Sequence, residues 1–486
     1  MLLTQPRLIT PHPSLLHLLL HLLLLLPHTT QAGDMQREEI QRWKAALAAA
    51  AKVPEYDQTL WPAIYEERIV TQSACEASPD PEAEDECSHS GSWFGSWLRW
   101  CPTSLSLLRE AEKVLLSNLK SSYRGWYVSV GCVVGSQESH VWTLSFNEDS
   151  NNMPLVLLHG FGSGVGLWCL NFDSFAAHRP VYAIDILGFG RSSRPGFTKD
   201  PLEAEREFIM SIEAWREKVG LEKFILLGHS FGGFLAASYA IKHPERVHHL
   251  VLADPWGFPE RPLDVGERYK FPLWVKAVAA ILQPFNPLSV IRTAGPWGPR
   301  ILKNARPDLI RKFSGMVKDA EEVIPNYLYH CNAQNPSGES AFHTLMAGFG
   351  WAKYPMIQRM DSLRKGLPIT LIYGSRSWVD HDPGFQIKYM RRDTFVDVQV
   401  IQGAGHHVYA DRAQTFNNII NTLGWHSDNG TLPELESEPS ENPEPGTRDV
   451  AMTITSMINV RNDTTRDEAT AVTDLTNTAE SDDHLN

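Results

Sequence analysis

The stretch Gly228-His229-Ser230-Phe231-Gly232 is where residue types and spacing first read as chemistry. It follows an apolar run at 224–227 and precedes a helical pattern at 231–242. A sharp strand-to-helix turn of this kind lifts a serine hydroxyl to the helix N-terminus, where backbone N–H groups face developing negative charge. The turn is too tight for large neighbouring side chains, and Gly228, Gly232 and Gly233 meet that demand. The five-residue pattern alone is common. A strand before it and a helix after it make it specific, and mark Ser230 as a nucleophile.

A serine hydroxyl needs a base, and the base needs an orienting acid. On a fold of this kind the three follow in the order serine, acid, histidine. His406 lies in Gly403-Ala-Gly-His406, just past the last strand, and is the expected base, with His407 its rival. Asp380, in Tyr373-Gly-Ser-Arg-Ser-Trp-Val-Asp380 beyond the strand at 369–373, is the expected acid. Asp382 and Asp254 are the alternatives, Asp254 because it ends the strand before the long insertion. Acyl transfer also needs donors for the oxyanion. The turn His159-Gly160-Phe161-Gly162 follows the run 155–158, so the N–H groups of Phe161 and Phe231 are the expected pair. Asp185-Ile-Leu-Gly-Phe-Gly-Arg-Ser192 reads as a structural turn, with Asp185 and Ser192 capping backbone. None of this chemistry requires a metal or an organic cofactor.

These residues must be held by a sheet. Apolar runs at 155–158, 181–184, 224–227, 250–253, 369–373 and 396–401 alternate with helical patterns at 203–219 and 231–242. Segments at 127–130 and 140–146 read as an opening pair of strands. Continuous apolar strands separated by helices imply an α/β fold with a mostly parallel sheet covered on both faces. The alternation stops between Trp256 and Gly350, where a helical, apolar, proline-punctuated insertion has the place of a lid.

The remaining chain carries less. A net charge of -13 excludes the basic stripe that nucleic acid requires. The six cysteines show no zinc-type spacing and imply no disulfide framework, which fits a reduced cytosolic protein. Residues 15–26 are nearly pure leucine, too short to span a bilayer comfortably. Three readings stand open for residues 1–35: a cleaved signal peptide, a membrane anchor, or a true start at Met35. The sequons at Asn429 and Asn462 matter only under secretion. Residues 36–120 read as an extension, with a helix at 37–52 and an acidic linker at 78–86. The hydrolase-like domain spans 121–425, and the tail 426–486 is acidic, Ser/Thr-rich and low in apolar residues.

Several longer segments are distinctive: Leu226-Leu-Gly-His-Ser-Phe-Gly-Gly-Phe-Leu-Ala236, Asp254-Pro-Trp-Gly-Phe-Pro-Glu-Arg-Pro262, Tyr329-His-Cys-Asn-Ala-Gln-Asn-Pro-Ser-Gly-Glu339 and Gly405-His-His-Val-Tyr-Ala-Asp411. From about Trp93 to Trp425 the chain resembles the α/β-hydrolase-domain subfamily of (lyso)-N-acylphosphatidylethanolamine lipase and the lipid-droplet coactivator of triglyceride lipase. That resemblance implies an α/β-hydrolase fold with a helical lid insertion. It also implies activity as an ester hydrolase or lysophosphatidic acid acyltransferase. Vertebrate coactivators carry Asn at the nucleophile position; Ser230 resembles the lipase branch, whereas Arg376 and Gly405 resemble the coactivator branch. The family's acyltransferase activity is linked to a His-x4-Asp motif, here His406 to Asp411. Asp411 with Gln414 three residues on also reads as a helix capping box, and that reading is preferred.

Substrate and location follow from apolar segments. Residues 271–282 are almost continuously apolar, 284–288 and 295–298 extend the pattern, and together they suit a mouth for acyl chains. Trp93, Trp97 and Trp100 stand at helical spacing beside Arg99, as membrane-interface aromatics do. In the family the corresponding segment serves lipid-droplet attachment. The expected partners are a lipid substrate, a droplet, endoplasmic reticulum or mitochondrial membrane surface, and a triglyceride lipase or droplet coat protein.

Overall fold

The computed structural model describes residues 101–262, 288–347, 350–392 and 394–433. The leucine-rich segment, the helix at 37–52, Trp93, Trp97 and Trp100, the apolar stretch 271–282 and the tail from 434 lie outside the described residues.

Among the described residues, eight strands form one sheet: β1 (Tyr123–Gly131), β2 (Ser139–Phe146), β3 (Leu155–Leu158), β4 (Val181–Ile184), β5 (Phe224–His229), β6 (Val247–Ala253), β7 (Ile369–Gly374) and β8 (Val396–Ile401). Their order is β1-β2-β4-β3-β5-β6-β7-β8. β1 and β2 are antiparallel, as are β2 and β4, and every later pairing is parallel. The apolar runs of the central strands follow from burial on both faces. Leu155, Leu157, Ile225, Leu227, Val251 and Ala253 enter one core. Their alternates Val156, Leu158, Phe224, Leu226, Leu250 and Leu252 enter the other. Successive side chains on a strand point to opposite faces, so neither face can be polar.

The helices are α1 (Leu105–Leu116), α2 (Phe172–Ala176), α3 (Pro201–Val219), α4 (Phe231–Lys242), α5 (Ser289–Ala294), α6 (Gly298–Ala305), α7 (Pro307–Phe313), α8 (Ala320–Asn332), α9 (Ser337–Leu345), α10 (Asp382–Met390), α11 (Val408–Asp411) and α12 (Ala413–Asp428). α3 starts two residues before the periodic pattern does. Asp200 accepts from the Glu203 N–H at 2.9 Å and Pro201 occupies the first turn, where a missing N–H costs nothing. Gly220, with φ of 81°, closes it.

The extension expected to run to residue 120 already belongs to the hydrolase core from residue 105. α1 buries Leu108, Leu115 and Leu116 in the first core. Its Glu112 is 2% exposed and pairs with Arg191 at 3.0 Å and with the Trp142 indole N–H at 2.9 Å. A polar residue inside an otherwise apolar helix face is invisible to pattern reading until its partner is known. Between β6 and β7 the described residues form the helices α5 to α9, as the insertion reading requires. Among the described residues no helix is long and apolar enough to cross a membrane.

Candidate active site

Ser230 sits between β5 and α4 with φ 53° and ψ -117°, a conformation non-glycine residues rarely adopt. The surroundings enforce it. A methyl group on Gly228 would lie 2.2 Å from the Gly232 carbonyl oxygen, and one on Gly232 would lie 2.5 Å from the Leu158 and His159 carbonyl oxygens. The Ser230 N–H donates to Ala253 O at 3.0 Å, and its carbonyl accepts from Gly233, Phe234 and Trp256. The strained residue is thus held by main-chain bonds on both sides.

His406 follows β8, and its Nε2 lies 3.0 Å from Ser230 Oγ. Its Nδ1 lies 2.6 Å from Asp254 Oδ2. His406, not its neighbour His407, therefore bridges the hydroxyl and a carboxylate. Since a carboxylate only accepts, Nδ1 carries the proton and Nε2 is left to accept from serine. Burial lowers the His406 pKa, with Arg306 and Lys312 acting the same way, which keeps the imidazole neutral as a base must be.

The acid position corrects the expectation at Asp380. Asp254, at the end of β6, is fully buried and faces His406. It also accepts from the Gly374 N–H at 3.1 Å and from the Ser377 hydroxyl. Burial pushes its carboxyl up to about 7, with the Ser377 and Gly374 donors opposing that rise. Asp380 is exposed and instead accepts from the Asp382 N–H at 3.0 Å at the start of α10. The physical reason is the course of the loop after β7, not sheet order, since His406 reaches Ser230 from β8, further still from β5. The loop after β7 reaches the site with Ser377, then turns outward before Asp380. Asp254 has φ 47°, a region in which Asp is among the tolerated residues. That strain was the local signal a sequence could not display. Asp382 too is exposed. Asp380, His381 and Asp382 have ligand atoms within 4.8 Å of one another, but exposed acidic groups of this kind are common without an ion.

The turn 159–162, expected to supply an oxyanion donor, lies against Ser230. A methyl group on Gly160 would stand 3.1 Å from Ser230 Cβ and 2.8 Å from His229 Nδ1. Phe161 follows Gly160 in this turn, and Gly162 has φ of 66°. His159 fixes the turn from behind: its Nε2 accepts from the Ile186 N–H at 3.0 Å and its Nδ1 lies 2.8 Å from Gly160 O. Phe231 opens α4, where the N–H has no partner within the helix by position. The rings of Phe161 and Phe231 both pack on Phe342 of α9, at 4.3 and 4.8 Å between centroids. Asn332 of α8 donates to Gly162 O at 2.7 Å, a support no sequence pattern announced.

The reading of 185–192 as a structural turn agrees with the contacts. Asp185 accepts from the N–H groups of Val165 and Arg191, each at 2.8 Å. Ser192 Oγ accepts from Trp142 N–H at 2.9 Å and donates to Asp185 O at 2.5 Å. The capping role expected for Asp411 does not form. α12 begins without a side-chain cap, and Asp411 Oδ2 accepts from the Gly405 N–H at 2.9 Å. α11 intervenes as a single turn and aims the carboxylate back along the His406 loop instead of forward into α12.

Two further residues complete the surroundings of His406. Trp378 is half exposed, with its ring centroid 5.0 Å from that of His406. His229, the variable residue of the elbow, lies with its Nε2 2.9 Å from the His406 carbonyl oxygen.

Residues 153–288 match the family model described as alpha/beta hydrolase fold. The chain is 50% identical over 343 residues to human (lyso)-N-acylphosphatidylethanolamine lipase, spanning 70% of this chain and 98% of that protein. It is 47% identical over 322 residues to human 1-acylglycerol-3-phosphate O-acyltransferase ABHD5, spanning 66% of this chain and 90% of that protein. Among solved structures, carboxylesterase CesB (YbfK) from Bacillus subtilis aligns at 17% identity with a TM-score of 0.46, covering 65% of this chain and 97% of that one.

Proposed function

Since this chain belongs to the α/β-hydrolase subfamily that includes (lyso)-N-acylphosphatidylethanolamine lipase and 1-acylglycerol-3-phosphate O-acyltransferase ABHD5, we propose that it is a serine hydrolase and acyltransferase of acylated (lyso)phospholipids and glycerolipids. The observation that carries this reading is the line Ser230 Oγ, His406 Nε2, His406 Nδ1, Asp254 Oδ2, with steps of 3.0 and 2.6 Å across it.

Ser230 Oγ attacks the ester or amide carbonyl as His406 Nε2 takes its proton. The oxyanion that forms is met by the N–H groups of Phe161 and Phe231. Asp254 holds Nδ1–H and stabilises the imidazolium. The intermediate collapses when His406 returns the proton to the leaving group, and the acyl chain stays on Ser230. Water or a glycerol hydroxyl then attacks the acyl-enzyme, with His406 as base for either acceptor. Hydrolysis and acyl transfer therefore share the acylation step. The aromatic cluster of Phe161, Phe342 and Trp256, packed around the elbow, provides apolar surroundings that suit acyl chains.

The test is labelling by a fluorophosphonate probe. Labelling of the wild type that disappears in Ser230→Ala supports the proposal, and a wild type that takes no label overturns it. The tryptophans Trp93, Trp97 and Trp100 are proposed as the anchor to a membrane or droplet. Flotation of the triple Trp→Ala variant with liposomes to the same extent as wild type would remove that role.

A second reading, a coactivator of a triglyceride lipase on droplets, draws on Arg376, which is exposed beside the His406 loop and bonds to the Gly403 carbonyl. Under that reading Ser230→Ala still stimulates a partner lipase.

A further inference from the structure

The loop bearing His406 is gripped at two peptides, one on either side of the Gly405–His406 peptide bond. The His406 carbonyl accepts from His229 Nε2 at 2.9 Å. Two peptides earlier, the Gly405 N–H donates to Asp411 Oδ2 at 2.9 Å. The same carboxylate oxygen lies 3.1 Å from Lys312 Nζ on α7, inside the insertion between β6 and β7. Lys312 Nζ is also 3.9 Å from Asp308 Oδ2. The Lys312 and Asp411 side chains are 12% and 16% exposed, so the pair sits where removal of one partner is costly. The fit is close: a methyl group on Gly405 would stand 3.3 Å from Asp411 Oδ2.

The five-position step from His406 to Asp411 has a local cause. α11 is a four-residue turn, closed by the Ala410 and Asp411 N–H groups bonding to His407 O. It returns the chain so that Asp411 meets the Gly405 N–H. His406 itself is already engaged by Ser230 and Asp254, and the Asp411 carboxylate is occupied by Gly405 and Lys312.

We infer that Asp411 is a positioning residue, bracing the His406 loop and tying it through Lys312 to the inserted helices, and that it is not a second catalytic carboxylate for acyl transfer. This rests on the serine-hydrolase reading above. It adds that hydrolysis and transfer depend on Asp411 equally, because both draw on the same histidine. It also makes the insertion a mechanical partner of the base: displacement of α7 that opens the Lys312 pair releases one of the two grips on the loop.

The experiment uses the full chain and phosphatidylcholine vesicles carrying a lysophospholipid donor. Fluorophosphonate labelling rate, donor hydrolysis and acyl transfer to lysophosphatidic acid are compared in Asp411→Ala, Asp411→Asn, Lys312→Met and Lys312→Arg, with thermal melts. Asp411→Ala is expected to slow all three by one common factor, between about 10-fold and about 100-fold, with KM little changed. Asp411→Asn, which keeps an acceptor for Gly405, loses less. Lys312→Met follows in the same direction, and Lys312→Arg restores most of the rate. Loss of transfer alone, with labelling and hydrolysis intact, overturns the inference. If Asp411→Ala does not fold, Lys312→Met decides: an unchanged labelling rate there overturns it. Hydrogen exchange of the peptide covering 402–411 gives a readout independent of activity. Faster exchange in Lys312→Met is expected, and unchanged exchange overturns the brace whether or not the wild type labels. An unlabelled wild type with the expected exchange overturns the serine-hydrolase reading alone.

Discussion

Replacing Asp254 by Asn separates the two candidate acids most sharply. The Asp254 carboxylate is fully buried and accepts from His406 Nδ1, Gly374 N–H and the Ser377 hydroxyl. Asn keeps the volume and tolerates the φ of 47°, so the backbone need not move. It offers one carbonyl oxygen where the carboxylate offered two oxygens, and its NH2 meets a donor. Either Gly374 N–H or His406 Nδ1–H loses its acceptor. If the imidazole turns to the other tautomer, Nε2 carries the proton and cannot accept from Ser230. In the Ser-His-Asp proteases the equivalent change lowers kcat by about 10⁴-fold, which is about 5.5 kcal/mol of activation free energy at about 1.36 kcal/mol per tenfold. The same order of loss is expected here. An unsatisfied buried donor also destabilises the fold by about 1–3 kcal/mol, so melting must be recorded beside activity. Asp380→Asn touches an exposed turn bond to Asp382 and should leave activity within about twofold, as exposed polar changes do. The assay is the second-order rate of fluorophosphonate labelling at pH 7.5, with hydrolysis of a lysophospholipid as the turnover measure. Equal losses in the two variants, or less than tenfold loss in folded Asp254→Asn, would refute the assignment.

Three other perturbations probe the same architecture. Gly160→Ala places a methyl group 2.8 Å from His229 Nδ1 and 3.1 Å from Ser230 Cβ; kcat/KM should fall on the order of 100-fold, and an active, normally melting variant would show that the turn has room to give. The acid limb of the pH-rate profile reports protonation of His406, whose pKa Lys312 lowers and Asp411 raises. Removing the cation in Lys312→Met should therefore move the limb to higher pH, and Asp411→Asn should move it lower; shifts of the same sign would contradict the placement of these charges. Arg191→Met strands Glu112, whose pKa burial already raises to about 7 with Arg191 opposing. Loss of one partner of a buried pair costs about 3–5 kcal/mol, or roughly 10 °C in Tm for a domain of this size, and a shift under about 2 °C by calorimetry would mean the pair is not buried as described.

The proposed nucleophile and base were legible because each is marked locally. Gly228, Gly232 and Gly233 are needed wherever a strand turns sharply into a helix, and that need shows in any sequence that makes the turn. The apolar runs of β3, β5 and β6 exposed the sheet, since strands buried on both faces cannot hide behind polar alternation. Helix α1 escaped notice, because its Glu112 is explained by Arg191, 79 residues away. Asp411 was misread as a cap for a related reason. The capping spacing to Gln414 is a local pattern, whereas its partners Gly405 and Lys312 become neighbours only after α7 and α11 pack together.

Ser230 and His406 were thus singled out by the sequence on its own as candidate nucleophile and base, together with the class of fold that carries them. Choosing Asp254 over Asp380 belonged to the tertiary structure. Both follow parallel strands, and both stand in the right chain order, so one-dimensional spacing treats them alike. The distinction arises because the loop after β7 turns Ser377 onto the Asp254 carboxylate and leaves Asp380 exposed, so the buried carboxylate that ends β6 is the one within 2.6 Å of His406.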